Sequence, residues 1–131
     1  MDYGITITLD LSYAHAVPAV KQALQEQGFG ILTEIDARAT LKEKLGEDME
    51  PYIILGACNP QLAHRALDLD RQIGLLLPCN VVVRASGENQ TVVQALDPQV
   101  MVTVPEREDL RPIADEAERR IRAALDALTS S

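Results

Sequence analysis

Two cysteines carry the sharpest chemistry in this chain. One lies in Ala57-Cys58-Asn59-Pro60 and the other in Pro78-Cys79-Asn80. A thiolate can act as a nucleophile, a metal ligand or half of a redox pair, and the thiol pKa decides which of these is open to it. Cys58 falls between a predicted strand and a helix that Asn59 caps, where free amides and the helix dipole favour an anion. If the strands bearing the two cysteines are neighbours, their sulfurs approach each other. His64, on the helix after Cys58, is then a third ligand for a metal ion held by Cys58 and Cys79. The ordinary reading stands beside these: a free cysteine is among the most buried residue types and packs as a small hydrophobe. Redox pair, metal ligand, nucleophile and core residue all stay open.

Other chemistry finds less support. Structural zinc takes four ligands, usually from paired C-x2-C elements, and the cysteines here are single. The absence of C-x-x-C speaks against a thioredoxin-like site. His15, in the first turn of a helix, reads as a surface residue, and nothing places either histidine as base to a thiol. Glu47, Asp48 and Glu50 precede Pro51 in a solvated turn. Glu106, Glu108 and Asp109 open the last helix, where negative charge complements the dipole. Asp68 and Asp70 follow Asn59 on its helix. Paired carboxylates do acid–base work only where surroundings split their pKa values, and no cause for that is visible. No phosphate loop, dinucleotide fingerprint or G-x-S-x-G occurs. Apart from a metal at Cys58 and Cys79, no cofactor is evident, and no reaction is implied.

These residues need a scaffold. Tyr3 to Leu9 alternates as a half-buried strand. Ser12 caps a helix that Pro18 requires to begin near Tyr13 or later, and Gly28 ends it. Phe29 to Ala37 reads as a strand with Ile31, Thr33 and Ile35 on one face. A short helix over Ala39 to Leu45 closes at Gly46. Pro51 to Ala57 is a buried strand, and Asn59-Pro60 starts a helix running to about Gln72. Gly74 to Arg84 is the most apolar stretch, interrupted by Pro78, which marks an edge, a bulge or a strand start. Ser86 to Asn89 turns into a hairpin partner, Thr91 to Leu96. Val100 to Val104 fits either a strand extension or a turn packed under the sheet. Ile113, Ala117, Ile121, Ala124, Leu125 and Leu128 make one helical stripe. Strands that do not alternate regularly with long helices favour an α+β fold, in the order β-α-β4-α with small inserted helices. The Leu75 to Val83 run is apolar on both faces and so needs two covers: helices on one side, and a partner, a ligand or the Ala39–Gly46 insert on the other.

Composition sets the limits. At 131 residues, 47% apolar and 24% charged, the chain suits one globular domain, residues 1–131. Aromatics are only 3%, so the core must be aliphatic. A net charge of −8 repels phosphate backbones, and Arg119, Arg120 and Arg122 alternate with Glu116, Glu118 and Asp126 rather than forming a basic stripe. Nucleic acid and anionic membrane are therefore excluded as partners. No apolar run reaches the roughly 20 residues of a membrane span, and Met1 to Leu11 lacks a basic leader, so the expected location is the cytoplasm, with reduced thiols.

Several stretches are familiar as an ordered set: Gln27-Gly28-Phe29-Gly30, Ile35-Asp36 leading to Leu41-Lys42-Glu43-Lys44-Leu45-Gly46, Tyr52 to Pro60, and Ile73-Gly74-Leu75-Leu76-Leu77-Pro78-Cys79. Together they resemble the family called domain of unknown function 302, from about Gly4 to Leu128. The resemblance implies one mainly antiparallel sheet covered by helices, similar to half of the TATA-binding-protein fold, in a chain that forms a homodimer. It carries no catalytic residues, and fold likeness does not transfer DNA binding. The expectation is a homodimeric module that binds a small ligand or a partner without chemistry. Its pocket would lie around Gly56, Cys58, Asn59, Pro78, Cys79 and Asn80, where asparagine amides could orient a polar ligand. The alternative is a thiol-dependent redox or metal-handling protein using Cys58 and Cys79. A structural subunit of a larger assembly is a third reading.

Overall fold

The computed structural model describes residues 2–130. Five strands and five α-helices follow the expected order. They are β1 (Gly4–Leu9), α1 (Tyr13–Glu26), β2 (Gly30–Asp36), α2 (Ala37–Leu45), β3 (Tyr52–Cys58), α3 (Pro60–Leu69), β4 (Cys79–Gly87), β5 (Gln90–Leu96), α4 (Val100–Thr103) and α5 (Arg111–Thr129). Short 3-10 turns cover Arg71–Leu76 and Glu108–Leu110. The strands form one antiparallel sheet in the order β1-β5-β4-β3-β2. The α+β reading holds.

Local chemistry explains most boundaries. Ser12 caps α1, and Gly28 at φ +86° turns the chain out of it. Asp36 caps α2 and Gly46, also left-handed, closes it. α1 starts at Tyr13 as the sequence reading expects, which leaves Pro18 in its second turn. Its ring faces solvent, so the carbonyl it leaves without a helix donor can bond to water.

Two corrections concern the strands. In β2 a register shift between Ile31 and Thr33 breaks the alternation. Ile31 stays on the helix side opposite Ala57, whereas Thr33 and Ile35 turn to the other face opposite Gly56 and Ile54. The apolar run also divides. Leu75 and Leu76 belong to the 3-10 turn, Leu75 is 79% exposed, and the strand starts only after Pro78. α3 ends at Leu69 because the Asp70 carboxylate accepts from Gln72 N and opens the 3-10 turn. Val100–Thr103 is a helical turn that buries Met101 and Val102. Glu108 and Asp109 precede α5 in a 3-10 turn, paired with Arg111 and Arg107.

The core has two parts. The larger lies between the sheet and helices α1 and α5, where Ala16, Val20, Leu24, Ile121 and Leu125 meet Leu55, Val81, Val83 and Val93. The smaller gathers Leu62, Ala66, Ile73, Met101, Leu110, Ile113 and Ala117 beyond one end of the sheet. α5 joins them: its first half serves the small cluster and its second half the large one. Neither cluster takes side chains from the other sheet face, and α2 buries none of its own residues. No helix among the described residues is long and apolar enough to cross a membrane.

Candidate functional site

The sequence-predicted residues part company at the end of the sheet. β3 and β4 are neighbours, with Ala57 opposite Cys79 and Gly56 opposite Asn80. Side chains alternate between faces, so Cys79 points into the core and Asn80 away from it. Cys79 is buried and Asn80 exposed. Cys58, the last residue of β3, is partly exposed, and both cysteines are free thiols. Asn59 is buried, and its Oδ1 accepts from Leu62 N at 3.2 Å, which fixes the start of α3. Gly28 lies beneath it: a Cβ there would come within 3.0 Å of Asn59 Nδ2 and 3.1 Å of Arg120 Nη1.

Cys58, Asn59 and Cys79 share one small cavity with Phe29, Leu62, Leu77, Met101 and Ile113. It lies at the seam between the two core clusters. Its volume is about 20 Å³, room for about one water molecule. Burial governs the thiols. It pushes Cys58 above the usual thiol range, and burial together with the neighbouring Cys58 raises Cys79 to about 11. The sequence places Cys58 where a helix N-terminus would lower its pKa; desolvation opposes this. His64 does not join the cysteines. Its side chain is 78% exposed and sits 3.8 Å from Asp68 on the same helix. Among the described residues, no group of three or more His, Cys, Asp or Glu could hold a metal ion.

Gly56 and Pro78 belong to the opposite face. A Cβ on Gly56 would overlap Thr33 Oγ1 and come within 2.9 Å of Pro78 Cγ. Glycine at 56 therefore lets Thr33 and Pro78 close over β3. This contact is invisible in the linear sequence because Thr33 reaches that face only through the β2 register shift.

The same face holds a groove that the sequence reading missed. Tyr3, Tyr52, Asn80, Val82, Gln94 and Leu96 line it, with about 430 Å³ of open space. Small-molecule sites usually span about 300–1,000 Å³. Gln94 Nε2 donates to Thr6 Oγ1 at 3.3 Å, and Arg84 Nε donates to Gln94 Oε1 at 3.4 Å. The signal lay in the alternation: Asn80 and Val82 on β4, and Gln94 and Leu96 on β5, all occupy outward positions. Of the four aromatic residues in the chain, two line this groove.

Comparison with known proteins agrees with the fold. The sequence profile of the family described as Domain of unknown function DUF302 matches residues 5–128. A solved structure described as that of an uncharacterized conserved protein DUF302 from Bacillus stearothermophilus is 29% identical. The alignment covers 98% of this chain and 99% of that one, with a TM-score of 0.89. No curated protein matches.

Proposed function

This chain belongs to the DUF302 family, and we propose that it is a homodimeric binding module whose ligand site is the groove on the outer face of its sheet. The observation that carries this reading is a difference in space. The cavity at the cysteines has room for about one water. The sheet groove is larger than that cavity by more than tenfold and brings two tyrosines and two amide side chains over an apolar floor. Such a surface suits a small neutral ligand with an aromatic ring and a hydrogen-bonding edge. A depression of equal volume lies between Leu75, Val104 and Arg107. Its charged groups are already engaged: Arg107 donates to Leu69 O at 2.9 Å and lies 3.6 Å from Asp70.

A soluble fragment set of aromatic amides, followed by backbone NMR shifts, tests the reading. Shifts centred on Tyr52, Val82 and Gln94 support it. Shifts confined to Cys58 and Asn59, or none at all, overturn it. The competing reading is thiol chemistry, favoured by the partial exposure of Cys58 one residue before the α3 cap. It requires a thiolate near neutral pH, and the raised thiol pKa values oppose that.

A further inference from the structure

The outer sheet face is nearly free of charge, in a chain whose net charge is −8. Side chains alternate along each strand, so the strand register assigns them to faces. Glu34 and Asp36 of β2 fall on the helix side, opposite Leu55 and Ile53. Among the described residues, the outward positions of the five strands carry one charged side chain, Arg84 on β4. Arg84 is half-buried and lies directly opposite Tyr52 of β3. It follows Val82 by two residues, about 7 Å along the strand. Tyr52 and Val82 both line the groove. Arg84 Nε donates to Gln94 Oε1, and Gln94 Nε2 in turn donates to Thr6 Oγ1, so the two ends of the Gln94 amide are assigned. Among the described residues, the Arg84 guanidinium has no other acceptor and no carboxylate within ion-pair distance. Arg107, Arg111, Arg119, Arg120 and Arg122 each have one.

We propose that Arg84 is a specificity-determining residue of the groove, selecting aromatic ligands that carry a carboxylate over their neutral amides. The inference rests on the groove reading above and names the charge of its ligand. The groove lining taken alone offers amides and tyrosines, which a neutral ligand satisfies; Arg84, one outward position beyond Val82, adds a cation that a neutral ligand leaves without a counter-ion. The shape of the free edge narrows the anion. A guanidinium binds a carboxylate through two parallel N–H donors, either Nε with one Nη or the two Nη atoms together. Gln94 Oε1 takes Nε, which leaves Nη1 and Nη2 as the fork. A ligand ring over Val82, beside Tyr52 and Gln94, then reaches this fork with its acid on a short linker. The negative charge of the chain as a whole opposes this only weakly, because charges beyond about 8 Å are largely screened at physiological ionic strength.

The test compares two probes on the full chain, para-hydroxyphenylpropionate and its primary amide, at neutral pH and physiological ionic strength. Backbone NMR shifts locate the binding and measure each affinity. The expected result is shifts at Tyr52, Val82 and Arg84, with the acid bound about tenfold tighter than the amide. Arg84→Gln should erase this preference. Gln94→Glu should erase it by a separate route, because it sets a carboxylate within reach of Arg84 in place of the amide oxygen. Arg65→Gln makes the same change of net charge at an exposed position on α3, and should keep the preference. An acid that binds no tighter than the amide overturns this inference alone. So does a preference that survives Arg84→Gln or Gln94→Glu, or an acid whose shifts centre away from Arg84. Failure of both probes to bind overturns the groove reading and this inference with it.

Discussion

The cysteine seam and the outer sheet face sit back to back across β3 and β4, and they behave in opposite ways. At the seam, side chains with chemical potential are packed into a space of one-water size. On the outer face, side chains with little intrinsic reactivity line an open groove. On the proposed reading, reactive residue types do not mark the working surface. One residue step along β4 separates the two worlds, since Cys79 is buried and Asn80 exposed. Each prediction below separates them further, and the expected effects run from large to small.

Gly56→Val should produce the largest loss. The new side chain must displace Thr33 and Pro78, and such overpacking costs about 3 kcal/mol, read from urea unfolding. Adding Thr33→Ala should recover part of it, because the first atom in the way is gone. An additive double variant would show that the two residues do not meet.

Alkaline pH should come next. Cys79 has its thiol raised from 9.0 to about 11 in the folded chain. Between those values the unfolded chain loses the proton and the folded chain keeps it, so stability falls as pH rises through this window. Full titration would remove about 2–3 kcal/mol, at 1.36 kcal/mol per pKa unit. Below pH 9 the contribution is complete. The fall should shrink in Cys79→Ala to the part that the raised Cys58 thiol still contributes, and should largely persist in Cys58→Ala because burial is the main cause of the Cys79 shift, measured as the urea midpoint against pH.

Asn59→Ala should cost about 1 kcal/mol through loss of the α3 cap. The smallest effects belong to His64 and to the groove. His64→Ala should change stability by less than about 0.5 kcal/mol, as exposed substitutions do. Added zinc should leave the melting temperature unchanged in both the natural chain and this variant. A zinc-dependent rise that His64→Ala abolishes would contradict the placement of His64 away from the cysteines. Tyr3→Ala should likewise leave stability within about 0.5 kcal/mol while weakening fragment shifts in the groove.

How much was legible in the sequence varied with the range of the interaction. Caps and stops read well because they are local: Ser12, Gly28, Asn59-Pro60 and the α5 stripe all act within a turn or two of themselves. Errors arose where distant segments decide. The β2 register shift, which turns Thr33 over Gly56, depends on pairing with β3. Leu75 and Leu76 have strand-like composition, yet the Asp70 cap and Pro78 confine them to a 3-10 turn. The sequence leaves open whether the strands bearing the cysteines are neighbours; β3 and β4 do pair, but whether the cysteines meet a solvent-filled site or a seam depends on α3, α4 and α5 packing around them. The groove is not legible in the sequence because its residues come from four strands and the segment preceding β1, and none of them is conspicuous alone.

The most direct test of the central claim removes both sulfurs. Cys58→Ala/Cys79→Ala, shown to be folded by circular dichroism, should sediment at twice the 14.3 kDa chain mass. In the same sample, aromatic-amide shifts at Tyr52, Val82 and Gln94 should be retained. Loss of either the dimer or those shifts in the folded double variant would contradict the account and return the cysteines to the centre of the protein's function.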